Sequence, residues 1–267
     1  MKTKIGNVGI LIICRLNSQR LKNKILKKIY NKTLIQILLE RLSKKINSKN
    51  IIICTSSKNK NKFFKQIYEK YKIQTFYGDD RNLFSRIINC SNKFKFKNIV
   101  RITGDNPLTD INAMIKMIKF HCENKIDYTY TTSLMIGTRP EVFNLKSLKK
   151  CKNLAVDQNS SEYLTYFFLR KYLFKIYNLR FKQLIKNENN ISVTIDYKKD
   201  LNNLKKILKN NSIYIERSEI IKTIKKNNFK MEKKIKNLIP VNTTKYNVKL
   251  KNDNKDFKYI NLKNFGY

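Results

Sequence analysis

The first uninterrupted apolar stretch of the chain is VGILIIC, Val8 to Cys14, a β-branched run with no polar alternation, as expected of a strand covered on both faces. The period then changes. In TLIQILLERLSKKI, residues Leu34, Ile35, Leu38, Leu39, Leu42 and Ile46 recur at helical spacing behind Thr33, a residue type that caps helix N-termini. Ile51 to Thr55 predicts a second strand, NKFFKQIYEKY a helix, Ile73 to Tyr77 a third strand and NLFSRIINCSNKF another helix. Asn98 to Thr103 predicts a fourth strand, INAMIKMIKFHCEN a helix and DYTYTT a further strand. Later, ISVTID predicts a strand ending at Asp196, and YKKDLNNLKKIL a helix. SEIIKTIKKNNFKMEKKIKNL reads as one or two amphipathic closing helices. From Asn242 to Tyr267 the chain is rich in Lys and Asn, a tail or interaction arm in which YNVKL and FKYINL could each form an edge strand.

Strand and helix in strict alternation imply right-handed crossovers and an α/β fold built on a doubly wound, mostly parallel sheet. Such sheets bind ligands in the crevice beyond the carboxyl ends of their strands. A length of 267 residues suits one such core with small additions.

Charge changes the picture less than its size suggests. With 58 Lys and Arg against 19 Asp and Glu, the net charge is +39, which taken alone points to nucleic acid or an anionic membrane. The cations are mostly Lys, however, scattered with Asn and Ile through nearly every segment, as in KNKNKFFKQIYEKYK. That is a compositional drift, whereas a dedicated nucleic-acid binder concentrates its charge on one face. Cys14, Cys54, Cys90, Cys122 and Cys151 form no CxxC pair, and His121 is the sole histidine, which argues against a zinc site or a disulfide framework and for a reducing cytoplasm. Lys2 and Lys4 before VGILIIC imitate a signal peptide, but the apolar run is short and Arg15 follows at once. No stretch reaches the ~20 apolar residues of a membrane span.

Three strand ends carry candidate chemistry. After the first strand, ICRLNSQRLKNKIL gathers Arg15, Arg20, Lys22 and Lys24 around Asn17 and Ser18. At that point of a parallel sheet, guanidinium forks, a lysine point charge and backbone N–H groups suit a phosphate cradle, although neither GxxxxGK[ST] nor GxGxxG is present. RITGDNPLTD places Asp105 behind Thr103 and Gly104, either as a Mg²⁺ ligand against a bound phosphate or as a cap for the following helix. Asp196 ends ISVTID and allows the same two roles.

These segments resemble the SpsF-like branch of the cytidylyltransferases, related to the sugar-acid CMP-transferases. Its loop of the form xRxxSxRLPGKxL is matched at Arg15, Ser18, Arg20, Leu21, Lys24 and Leu26, with Lys22-Asn23 in place of Pro-Gly. Its GxxxDVLxR is similar to GDDRNLFSR, keeping Gly78 and Arg86, and its VRITGDxPLxD is matched by Val100 to Asp110. EVF recurs as Glu141 to Phe143, EHVT as Glu162 to Thr165, and TVDxxxDL as Thr194 to Leu201. Arg139 stands where the family often has an acid, and Ser161 where it has Arg.

The resemblance covers roughly residues 8 to 210. It implies a sheet of nucleotide-diphospho-sugar-transferase type over residues 1–217, with a small second lobe, closing helices over 218–241 and a basic extension over 242–267. It also implies CMP transfer from CTP to a sugar or sugar-acid hydroxyl, with loss of pyrophosphate, in surface polysaccharide synthesis. Arg15, Ser18, Arg20, Lys24, Thr103 and Gly104 then attend the nucleotide, with Arg15, Lys24 and Asp105 acting in catalysis. Asp105 and Asp196 hold Mg²⁺, and Arg139, Glu141 and Glu162 lie toward the acceptor. Family analogues often form homodimers through their second half. Two other readings stay open: a glycosyltransferase of the same fold, whose DxD-type motif has no counterpart beyond Asp79-Asp80, and a non-catalytic polyanion binder.

Overall fold

The computed structural model describes residues 2–14, 16, 21–57, 62–154, 164–168, 173–227 and 229. The strand at Val8–Cys14 (β1) is buried at every position and forms the centre of a seven-stranded sheet. On one side it pairs in parallel with β4 (Ile51–Ser56), which pairs in parallel with β5 (Gln74–Gly78). On the other side lies β6 (Asn98–Thr103), parallel, with Ile13 opposite Thr103. Beyond it come β8 (Glu141–Asn144), β7 (Tyr128–Tyr130) and β9 (Ile176–Asn178). Among the described strands of this sheet, β8 alone runs against the others. A two-stranded ribbon, β2 (Lys28–Ile29) with β3 (Lys32–Thr33), stands apart.

The helices cover both faces. Side chains of β1 that point one way, Ile10 and Ile12, pack against α1 (Leu34–Lys45), α2 (Lys62–Tyr71) and α4 (Ile111–Glu123). Leu11 and Ile13 point the other way, against α3 (Leu83–Lys93), α5 (Leu145–Leu154) and α6 (Leu164–Phe168). Each fully buried Leu or Ile is worth roughly 1.5–3 kcal/mol, so this central strand must be apolar on both faces. A third apolar cluster joins α7 (Lys198–Leu208) and α8 (Arg217–Lys226) to Leu34 and Ile37 of α1, making the second lobe.

The expected α/β architecture is present, with differences of detail. Ile191 to Ile195 is extended but is not a strand of the sheet: among the described residues an isolated bridge pairs Ser192 with Ile136, where the Val193 N–H donates to the Ile136 carbonyl at 2.8 Å. β8 and β9, four and three residues long, are too short to show a period. Closing helix α8 ends at Lys226, and the expected continuation and tail lie outside the described residues, apart from Phe229.

Candidate active site

The parallel register of β1 and β6 brings their carboxyl ends together, and the Gly104 N–H donates to the Ile13 carbonyl at 2.9 Å. A Cβ at Gly104 would stand 2.9 Å from the Cys14 Cβ and 3.3 Å from the Ile25 Cγ2. Glycine here therefore lets the turn that carries Ile25 close down on the end of β6. That turn is a short 3₁₀ helix, Lys24–Leu26, entered through Asn23 at φ 53°, a left-handed conformation that Asn tolerates better than most residues. The Asn23 N–H donates to the Leu16 carbonyl at 3.2 Å, so the backbone turn forms with Asn where the family has Gly.

The turn delivers Lys24, 8% exposed, into a cluster of oxygens. Its ammonium is ion-paired with Asp105 Oδ2 and with Asp196 Oδ1 at 3.2 Å, and donates to the Ile195 carbonyl at 3.1 Å. A lysine ammonium has three N–H donors, and these contacts engage all three.

Neither carboxylate serves as a helix cap. Asp110 caps α4, accepting the Ala113 N–H at 2.9 Å, which leaves Asp105 to Lys24. At the other end, Asp200 Oδ2 accepts the N–H groups of Asp196 and Tyr197 at 2.9 and 2.8 Å and so closes the first turn of α7 in place of Asp196. The backbones are tied as well, since the Ile195 N–H donates to the Asp105 carbonyl at 3.2 Å. Gly137, at φ 90°, lets its loop lie against this segment; a Cβ there would come within 2.6 Å of the Thr194 nitrogen.

Two carboxylates and a carbonyl around one cation form an all-oxygen donor set, the kind a hard divalent ion takes. Among the described residues no group of three or more His, Cys, Asp or Glu could hold a metal, and the donors gathered here are two carboxylates and one carbonyl. That fits an ion which keeps several waters and takes further oxygens from phosphate.

Arg15, Ser18, Arg20 and Glu162 lie outside the described residues. Of the expected site residues that are described, Lys24, Asp105 and Asp196 converge, with Gly104 beside them. Thr103 Oγ1 accepts from Asn106 Nδ2 at 2.8 Å. Arg139 fastens two loops, its Nε donating to the Leu134 carbonyl and its Nη2 to the Asn189 carbonyl, each at 2.7 Å. Glu141 pairs with Arg101 at 2.9 Å and accepts from the Tyr128 hydroxyl at 2.7 Å. Asp79 accepts the N–H groups of Arg81 and Asn82 and shapes its own turn, while Asp80 accepts from Ser56 and Ser57 and ties that turn to the end of β4.

Arg41 is the residue that pattern reading passed over. It is 6% exposed, and burial pushes its guanidinium down to about 10. Nη1 donates to the Ile213 and Ile215 carbonyls at 2.7 Å each, and Nη2 to the Thr109 carbonyl at 3.3 Å. It thereby ties α1 both to the segment carrying Asp105 and to the second lobe. The available signal was its place one turn beyond Ile37, on the apolar stripe of α1. A cavity of about 270 Å³ lined by Arg41, Asp110, Tyr214 and Glu216 lies beside it, and neither Lys24, Asp105 nor Asp196 lines that cavity.

A lysine held by two carboxylates at the carboxyl ends of a doubly wound sheet is suited to chemistry on phosphates, and the comparisons with known proteins give the class: a CTP-dependent nucleotidyltransferase. The cytidylyltransferase profile matches residues 9–239, and the chain belongs to that family. It is 34% identical over 194 residues to an uncharacterized protein of Methanocaldococcus jannaschii, covering 72% of this chain and 79% of that one. It is 26% identical over 208 residues to the spore coat polysaccharide biosynthesis protein SpsF of Bacillus subtilis, covering 75% and 86%. Among solved structures, a cytidylyltransferase from Leptospira borgpetersenii superposes with a TM-score of 0.78 at 26% identity, over 85% of this chain and 98% of that one. CMP:2-keto-3-deoxy-manno-octonic acid synthetase in complex with CTP shares the fold, with a TM-score of 0.55 at 11% identity over 74% and 96%.

Proposed function

We propose that this protein transfers CMP from CTP to a hydroxyl of a sugar or sugar acid, with Mg²⁺, in the synthesis of a surface polysaccharide. The acceptor oxygen forms a bond to the α-phosphorus and gives up its proton to solvent, the bond to the β-phosphate oxygen breaks, and pyrophosphate departs with that electron pair. The observation that carries this reading is the convergence of Lys24, Asp105 and Asp196 on one point beyond β1 and β6. The kinship with SpsF supports the polysaccharide setting.

The barrier is lowered by aligning the attack and by neutralising charge that grows on the phosphates. Arg15, Arg20 and Lys24 supply positive charge for the triphosphate and the leaving pyrophosphate. Asp105 and Asp196 are the residues that would hold Mg²⁺, which supplies Lewis-acid neutralisation of the phosphate oxygens. Thr103 and Gly104 border the nucleotide. Arg139 and Glu141 act through the loops and strands they brace, shaping the acceptor side together with Glu162.

The test is the thermal midpoint with CTP, UTP, ATP and GTP, each with and without Mg²⁺, for the wild type and Asp105→Asn. A ligand at about 100 times its Kd adds about 2.7 kcal/mol to the folded state, enough to read as a shift. The expected result is a Mg²⁺-dependent shift with CTP that Asp105→Asn loses. Equal shifts with all four nucleotides, abolished by salt, would leave only a basic surface. Release of pyrophosphate on adding a candidate acid sugar then identifies the acceptor.

A further inference from the structure

The Lys24 ammonium occupies the place where the divalent ion would sit. Its three donors are spent on Asp105, Asp196 and the Ile195 carbonyl, so in this arrangement none is left for a phosphate. A divalent ion taking the same oxygens stands about 2.0–2.1 Å from them, within the space the ammonium fills. Two cations cannot share that space, because they repel and compete for the same lone pairs. Gripping the triphosphate and bridging the carboxylates are thus two alternative seats for one side chain.

We infer that Lys24 is a built-in competitor of the metal: it holds Asp105 and Asp196 together in the nucleotide-free protein and yields them when a triphosphate offers its ammonium a more anionic seat. The inference rests on the nucleotidyl-transfer reading above. Two carboxylates drawn to one point, Asp196 buried and Asp105 half-buried, repel unless positive charge lies between them, and Lys24 supplies such charge. Lysine suits the role because its compact charge rides on a flexible four-carbon stem, while the backbone at its root stays fixed through the Lys27 N–H to Lys24 carbonyl bond at 3.0 Å. The consequence is a coupling of ligands. The ion binds weakly alone and strongly with CTP, because only the nucleotide draws off the resident cation, and by linkage the ion strengthens CTP binding by the same factor.

The probe is Mn²⁺ alone, titrated without nucleotide into the wild type, Lys24→Met and Lys24→Gln, with free Mn²⁺ read by electron paramagnetic resonance. Both variants remove the charge, and Gln keeps a donor for the Ile195 carbonyl. At least tenfold tighter Mn²⁺ binding is expected in the variants, with the gain lost when Asp105→Asn is added. A folded Lys24→Met or Lys24→Gln that binds Mn²⁺ no tighter than the wild type overturns the inference. Variants that fold only when Mn²⁺ is supplied support it, since the ion then does the ammonium's work. Should neither fold under any condition, the wild type decides: micromolar Mn²⁺ binding without nucleotide overturns the inference, and millimolar binding that tightens with CTP sustains it. Failure of the wild type to bind CTP would instead sink the cytidylyltransferase reading, an outcome the nucleotide-free comparison does not touch.

Discussion

Asn23 shows how one backbone angle carries a site. At φ 53° it turns the chain so that Lys24 points back under β6, and the cost of a Cβ in that conformation falls on the fold. Replacing it by Gly should retain Mg²⁺-dependent CTP binding and change stability by no more than about 1 kcal/mol, in the favourable direction if relief of the left-handed strain outweighs the added freedom of the unfolded chain. Asn23→Val should cost about 1–2 kcal/mol and weaken CTP binding, since a β-branched residue resists this conformation and would drag Lys24 with it. Urea unfolding with a parallel CTP titration checks both. A Val variant as stable and as tightly binding as the wild type would mean that the turn does not set the position of Lys24.

Among the elements, legibility followed burial. β1 and β6 begin and end where the pattern predicts; in β1 a strand covered on both faces leaves no polar position to blur its ends, and in β6 the polar, partly buried Asn98 and Thr103 mark them. The helices that cover them were equally plain, down to the Thr33 cap, which accepts the Gln36 N–H at 3.3 Å. What stayed hidden is tertiary. Ile191 to Ile195 has the β-branched composition of a strand, yet its apolar residues belong to the second lobe, and nothing local shows that it lies against Ile136, Gly137 and Asp105 instead of a sheet strand. The site divided in the same way: Asp105 and Asp196 were visible as strand-end carboxylates, whereas their sharing of Lys24 depends on contacts spanning more than eighty residues of sequence.

The same packing of α4 against the sheet makes a pH prediction. His121 of α4 is buried, with Nδ1 2.9 Å from Thr129 Oγ1 of β7. Burial pushes its pKa down to about 4, outweighing the opposing charge of Asp127. Between pH 6.5 and 4 the unfolded chain therefore takes up a proton that the folded chain refuses. The stabilisation is complete above about 6.5 and is lost as pH falls toward 4, at about 1.4 kcal/mol per pH unit and about 3 kcal/mol in all. Compared with His121→Gln, whose side chain does not titrate, the wild type should lose that much relative stability across the window in urea unfolding. Parallel pH profiles would show that His121 is protonated in the fold.

At the scale of the whole molecule the dominant quantity is the net charge of +39. The fold, the family and the Lys24 cluster account for only a few of those cations; the remainder are spread through nearly every segment, where they repel one another. Compaction brings like charges closer, so the folded state bears more of this repulsion than the unfolded one, and mobile ions relieve it. Raising NaCl from ~0.1 M to ~1 M shortens the screening length from about 10 Å to about 3 Å, below the spacing of most surface charges. The thermal midpoint should therefore rise by several degrees over that range, opposite to the trend for a fold held by surface ion pairs. CTP binding with Mg²⁺ should weaken less than binding to a generic polyanion such as heparin, because Lys24 and Asp196 are buried and act at contact distance, where salt screens little. A midpoint that falls with salt would mean that the few acids, Glu40 beside Lys32 and Glu216 beside Lys45 among them, hold the surface together more than the cations strain it. Equal salt sensitivity of CTP and heparin would mean that the nucleotide is held by the general field and not by the site.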